Sequence, residues 1–339
     1  MKYLCIFSLA VSILACDTTD QTTQSPEKIT ARKKYALVIH GGISDPLTMS
    51  QEKLEAHEEG LREALRIGKK ILEENGTGID AVEQVIRYLE DHPEFNAGKG
   101  ASLTTERKHE LDASIMDGKT LGIGAITGVT TVRHPISLAR RVMDSSKHVF
   151  FWNTGAEEFA DRQSDLERVE NDFFTTEEKK AALEEKMQET ALSCITCGPE
   201  TARDSFYGTV GVAALDSYGN LAAGTSTGGG TGKQHGRIGD SPVIGAATYA
   251  NNHSCAISCT GKGEEFIRHT VSVQVSSLIR YQGLSLQAAV DTVLQQRLKP
   301  GDGGIIGVDK WGNTYLGYNT NGMFCGAADS DGLFEVRVK

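Results

Sequence analysis

The sequence contains no run of basic residues longer than Arg32-Lys33-Lys34. With 35 Lys and Arg against 45 Asp and Glu, a formal net charge of −10, it offers no patch to neutralise a phosphate backbone, and nucleic acid is excluded as a partner. It also lacks an apolar stretch long enough to cross a bilayer as a mature helix, since the N-terminal stretch Tyr3 to Ala15 is too short. A zinc spacing is missing too: Cys194 and Cys197 form a CxxC in a polar segment, with no second ligand pair. Cys255 and Cys259 lie close together in an apolar segment and Cys325 stands alone, so free or loosely paired thiols are expected rather than a disulfide framework. What remains, 39% hydrophobic and 24% charged over 339 residues, is the composition of a soluble globular protein large enough to bury a substantial core.

The first residues form a separate object. Lys2 supplies a short positive region, Tyr3 to Ala15 is apolar, and the stretch ends in Ile13-Leu14-Ala15-Cys16. This resembles the lipobox of bacterial lipoproteins, which implies acylation of Cys16 and membrane attachment through the lipid alone. The competing reading is an ordinary cleaved signal peptide with an incidental cysteine. Either way the protein is expected to be exported, periplasmic or membrane-anchored. Residues 1–16 are then the signal and 17–30, rich in Thr and Gln, a flexible tether.

Residues 35–39 form an apolar run into His40-Gly41-Gly42, the signature of a buried strand. Leu54, Leu61, Leu65 and Leu72 recur at helical spacing, and Asn75-Gly76 stops that helix. Further helices are expected over 80–89, 135–143, 264–281 and 285–298, with strands over 209–216, 220–227 and 242–249. Asp216-Ser-Tyr-Gly219-Asn220 is a hairpin turn, and Asp309-Lys-Trp-Gly312-Asn313 repeats it. Ahead of both turns, 153–207 is strongly charged and reads as a surface excursion or mobile linker. The order of elements predicts packed sheets with helical layers outside, an α/β sandwich.

Gly208-Thr209 sits where the charged linker meets a buried strand. A threonine hydroxyl is a weak nucleophile without an adjacent base. Breaking the bond before it would free its own α-amino group, whose reference pKa of about 7.7–8.0 suits general-base work. A glycine before the cut permits backbone geometry that a Cβ forbids. By itself the motif reads more simply as a glycine opening a strand.

The longer segments decide between these readings. They are His40-Gly41-Gly42, Phe95-Asn-Ala-Gly-Lys-Gly100, Glu110-Leu-Asp-Ala113, Met116-Asp-Gly118, Tyr207-Gly-Thr-Val-Gly211, Asn220 to Gly229, Gly236-Arg-Ile-Gly-Asp-Ser-Pro242 and Cys259-Thr-Gly-Lys-Gly-Glu264. In this order they resemble the plant-type asparaginase and isoaspartyl peptidase family of N-terminal nucleophile hydrolases. The resemblance implies an αββα sandwich of two mainly antiparallel sheets flanked by helices. It also implies self-cleavage between Gly208 and Thr209 into an α subunit (31–208) and a β subunit (209–339), and a homodimer of cleaved protomers.

Residue by residue, the resemblance makes Thr209 the nucleophile and Thr227 the hydroxyl that polarises it. Thr260 and Asn96 would supply donors to the oxyanion. Arg237 would clamp the substrate α-carboxylate and Asp240 the α-ammonium, with Thr260, Gly261 and Gly263 close to the substrate. Backbone carbonyls around Leu89, Glu90, His92, Phe95, Ala97 and Lys99 would wrap a structural sodium ion, and no cofactor is needed for the chemistry. His40 reads as structural, because the terminal amine fills the role of base. Departures from the family pattern are Ile43-Ser44 after His-Gly-Gly, Lys262 as a cation expected near the mouth of the site, and Cys325 where arginine is frequent. The expected reaction is hydrolysis of L-asparagine or β-aspartyl dipeptides to release L-aspartate. Alternatives are an amidase of glycosylated asparagine, a threonine protease acting on folded proteins, and a non-catalytic small-molecule-binding lipoprotein of the same fold.

Overall fold

A computed structural model describes residues 31–196 and 208–338, and for 192–196 the backbone alone. Cys16, the tether, Cys197 and residues 198–207 lie outside the described residues. The strands are β1 (Ala36–Ser44), β2 (Leu111–Asp117), β3 (Ile123–Val129), β4 (Phe150–Trp152), β5 (Val210–Leu215) and β6 (Leu221–Thr227). They continue with β7 (Tyr249–Ala250), β8 (Cys255–Gly261), β9 (Gly303–Asp309), β10 (Thr314–Tyr318), β11 (Gly322–Asp329) and β12 (Phe334–Arg337). Helices are α1 (Gln51–Glu73), α2 (Gly78–Asp91), α3 (Pro135–Ser145), α4 (Asn153–Ala160), α5 (Glu177–Thr196), α6 (Gly263–His269), α7 (Val271–Gln282) and α8 (Leu286–Gln296).

Two sheets result, ordered β12–β11–β1–β5–β6–β2–β3–β4 and β10–β9–β8–β7. Of their pairings only β3–β4 is parallel. Strand alternation divides the core. On β1, Leu37 and Ile39 face α1 and α2, while Ala36 and Val38 face the smaller sheet. On β5, Val210, Val212 and Ala214 face the helices, and Ala213 and Leu215 the other sheet. On the far side, Ile257 and Ile305 pack on Val275 of α7 and Val290 and Val293 of α8. The layers are therefore helix, sheet, sheet, helix, the αββα sandwich expected. Each fully buried Leu, Ile or Val contributes roughly 1.5–3 kcal/mol relative to exposure.

Local chemistry sets the element ends. Ser50 and Thr77 cap α1 and α2 with their side chains. In both expected turns the Asp carboxylate takes two backbone N–H groups, Tyr218 and Asn220 on Asp216, Trp311 and Asn313 on Asp309. A third copy, unforeseen, is Asp329-Ser-Asp-Gly332, whose carboxylate binds the N–H groups of Asp331 and Leu333.

Three expectations are corrected. The helix over 264–281 breaks at Thr270, which adopts φ 46° and separates α6 from α7. The N–H groups of Ser272 and Val273 then reach the carbonyls of Ala246 and Gly245, so tertiary hydrogen bonds replace helical ones. Those partners explain the second correction: 242–248 is a buried run of turns, and only Tyr249–Ala250 is strand. Third, the first part of the charged segment is anchored to the body. Phe159 and Phe174 are buried in the helix-side core, Leu183 of α5 is buried, and the Phe174 carbonyl accepts from Gly100 N–H at 2.8 Å. A few aromatics suffice to hold a segment whose average composition is polar.

Candidate active site

The site lies at one end of the sandwich, where β5, β6 and β8 present their termini. Val210 pairs with Ser226, so the register sets Thr209 beside Thr227. Their hydroxyl oxygens are 3.1 Å apart, and Thr227 Oγ1 also accepts from Gly229 N–H at 2.9 Å. Thr209, Thr227, Thr260, Asn96, Arg237, Asp240, Gly208 and Gly261 line one cleft. Gly263 does not line it but packs behind it: a Cβ there would stand 3.0 Å from both Arg237 Nη2 and Asp240 Oδ1.

Asn96 is fixed rather than mobile. Its Oδ1 accepts from Ser102 N–H at 2.7 Å and its Nδ2 donates to the Gly229 carbonyl at 2.6 Å. The turn that carries it is closed by Lys99 N–H on the Glu90 carbonyl at 2.6 Å, with Gly98 and Gly100 at φ 54° and 89°. The Leu89, Glu90 and His92 carbonyls each accept one backbone N–H at this turn, from His92, Lys99 and Phe95. Each keeps a second lone pair, the kind of hard oxygen donor that suits a monovalent cation.

Gly208 takes φ 70°, and the bulge in β1 between His40 and Gly42 brings Gly42 (φ 107°) against it. A Cβ on Gly42 would stand 2.0 Å from the Gly208 Cα. Only glycine tolerates that approach.

His40 is completely buried, and burial pushes its imidazole down to about 3, so it is neutral. Its Nδ1 meets the Thr209 carbonyl at 2.9 Å, and a carbonyl only accepts, so Nδ1 carries the proton. Nε2 must then accept from Ser258 Oγ at 2.9 Å. Ser258 contacts Thr225 (2.8 Å), Thr225 contacts Thr248 (2.6 Å), and Thr248 contacts Ser114 (2.8 Å). Each hydroxyl has one proton, so this buried chain holds the imidazole in one tautomer against the Thr209 backbone. Buried and bonded at both nitrogens, the histidine holds the Thr209 backbone from behind.

Arg237 and Asp240 do not pair with each other. The Arg237 guanidinium lies on Glu264 in a two-pronged contact, Nε to Oε1 at 2.9 Å and Nη2 to Oε2 at 2.8 Å. Glu264 was quoted in the sequence only as part of a motif; its role in aiming the fork was missed, and its position three residues into a glycine loop was the available signal. Lys262 is likewise not a free cation at the mouth, because its ammonium pairs with buried Asp302 at 3.1 Å.

Asp240 is buried with Oδ2 lacking a hydrogen-bond partner, and desolvation raises its carboxyl to about 7. An orphaned buried carboxylate opening on a cleft calls for a cation. Binding an ammonium draws the proton off, so kcat/KM should fall as pH drops through about 7 while kcat at saturation does not show that limb. A pH profile in which Asp240→Asn keeps the same limb would refute this assignment.

Cys255 and Cys259 are unpaired, buried thiols on the helix side of β8, and Cys325 is buried between the sheets. None reaches the cleft. Among the described residues no cluster of three His, Cys, Asp or Glu side chains can hold a metal, and no helix is long and apolar enough to cross a membrane.

With this geometry in place, comparison with known proteins is informative. The asparaginase family model matches residues 33–338. The chain is 43% identical over 324 residues to a probable isoaspartyl peptidase/L-asparaginase of Arabidopsis thaliana, covering 90% of this chain and 98% of the relative. It is 43% identical to an isoaspartyl peptidase of Salmonella typhimurium, covering 86% of this chain and 94% of that one. To a human isoaspartyl peptidase/L-asparaginase it is 39% identical, over 86% and 92% of the two chains.

Proposed function

The chain belongs to the asparaginase family, and from that premise we propose a self-cleaving threonine amidohydrolase that releases L-aspartate from L-asparagine and from β-aspartyl dipeptides. The observation that carries this reading is the convergence of Thr209 and Thr227, 3.1 Å apart, with Arg237, Asp240, Thr260 and Asn96 around one cleft, beside a glycine at φ 70°.

The chemistry has two stages. Thr209 Oγ1 first attacks the Gly208 carbonyl carbon; the C–O bond forms, the C–N bond breaks, and the nitrogen takes up the proton. Water hydrolyses the resulting ester and leaves Thr209 with a free amine. In the second stage that amine takes the hydroxyl proton as Thr209 attacks the substrate side-chain carbonyl. Donors at Thr260 and Asn96 stabilise the oxyanion, and the proton passes to the leaving nitrogen. Arg237, aimed by Glu264, takes the α-carboxylate, and Asp240 the α-ammonium. Water then frees aspartate.

Belonging to the same proposal are the homodimer of cleaved protomers, export with lipidation at Cys16, and a sodium ion on the Leu89–Lys99 carbonyls that would stiffen the turn carrying Asn96. The test is direct. Purified protein held at neutral pH should give two bands on a denaturing gel, the smaller beginning at Thr209, and should release aspartate from asparagine and β-aspartyl dipeptides. A persistent single band with no aspartate released would sink the reading; release only from glycosylated asparagine would favour the alternative amidase.

A further inference from the structure

A second cavity, of about 460 Å³, opens between the start of α1 and α5. It shares Ile43, Asn96 and Gly208 with the catalytic cleft, so the two adjoin at the residue that precedes Thr209. That volume is in the range of small-molecule sites. Its wall combines apolar surface from Ile43, Met49 and Phe324 with the side chain of Lys179.

The charges around it are not balanced evenly. Lys53 is neutralised by Glu178 at 2.6 Å, and His57, stacked on Phe324, is kept neutral by burial. Lys179 is half-buried; Glu178 and Glu94 attract its ammonium, but among the described residues neither makes an ion pair with it. Glu94 and Glu185 stand on the same cavity, so an acidic side chain entering it meets repulsion from these two and attraction at Lys179.

We propose that this cavity is the leaving-group subsite for β-aspartyl dipeptides: Lys179 holds the α-carboxylate of the residue beyond the scissile bond, and Ile43, Met49 and Phe324 take its apolar side chain. The inference rests on the hydrolase reading above and adds to it a substrate preference. The aspartyl half is fixed by Arg237 and Asp240 at one end of the cleft. The scissile carbonyl is at Thr209, so the second residue leaves past Gly208 and Asn96, into this space. Asparagine, whose leaving group is ammonia, places nothing there.

The experiment uses the self-cleaved enzyme and four substrates: asparagine, β-aspartyl-leucine, its C-terminal amide, and β-aspartyl-glutamate. Wild type should favour the leucine acid over the amide by roughly tenfold in kcat/KM, as one charge-assisted contact implies, and favour it over the glutamate dipeptide. Lys179→Met should erase the acid-over-amide preference, and Lys179→Arg should retain most of it. An unchanged acid-to-amide ratio in Lys179→Met would overturn the subsite. Equal losses on acid and amide would also overturn it, assigning the ammonium instead to the new carboxylate of Gly208. Absence of aspartate release from every substrate by wild type would be a different failure, that of the hydrolase reading itself.

Discussion

Thr209→Ala is expected to remain a single uncut chain, and aspartate release from asparagine should fall by about 10⁴-fold or more. Both losses follow from one atom. Oγ1 is the group that attacks the Gly208 carbonyl and, once the amine is free, the substrate. Thr227 cannot stand in, because its own hydroxyl is already engaged with Thr209 and with Gly229 N–H, and it has no adjacent amine. The substitution removes no core packing, since Thr209 precedes the buried run of β5, so melting temperature should stay within a few degrees of the uncut wild type. A denaturing gel, N-terminal sequencing and a coupled aspartate assay check the result. Self-cleavage by the alanine variant would remove Thr209 from the centre of the mechanism.

The second large effect lies one strand away from the bond that breaks. Gly42→Ala should slow self-cleavage by about 100-fold or more, because a displacement of roughly 1 Å at a reacting centre has that consequence. An alanine Cβ would fall 2.0 Å from the Gly208 Cα and 2.9 Å from its nitrogen, at a φ of 107° that side chains rarely adopt. That backbone strain alone costs about 1–3 kcal/mol. Gly208→Ala, at φ 70° with its nearest neighbour atom 3.2 Å away, should be the milder of the two, although it alters the cut residue itself. A time course of band appearance for both variants decides the order; faster cutting by Gly42→Ala than by Gly208→Ala would contradict it.

The legible part of this molecule was the part governed by period and by motif. The unbroken apolar run 35–39, and the spacing of Leu54, Leu61, Leu65 and Leu72, report one-dimensional patterns that the layers preserve. Thr209, Thr227, Asn96, Thr260, Arg237 and Asp240 were found through long ordered motifs, and the fold brings all six to one cleft. What was hidden depends on partners distant in sequence. Nothing around Thr270 announces a helix break, because the cause is two carbonyls at Gly245 and Ala246. Glu264 looks like any helix-start acid until Arg237 lies across it. Lys179 sits in a run of charges, and only the cavity distinguishes it from its neighbours.

The strand order has a consequence for what happens after the cut. β1 and β2 precede the scissile bond; β5, β6 and β11 follow it. In the large sheet β1 lies between β11 and β5, and the β5–β6 pair lies between β1 and β2, so each fragment is held by the other through backbone hydrogen bonds on both sides. The two pieces cannot part without unravelling the sheet. The uncut precursor assembles this weave as one chain, whereas the processed enzyme, once denatured, must rebuild it from two. Cleavage at that bond, as proposed, would make folding a one-time event: the two-chain protein would persist by the height of its unfolding barrier rather than by a reversible equilibrium.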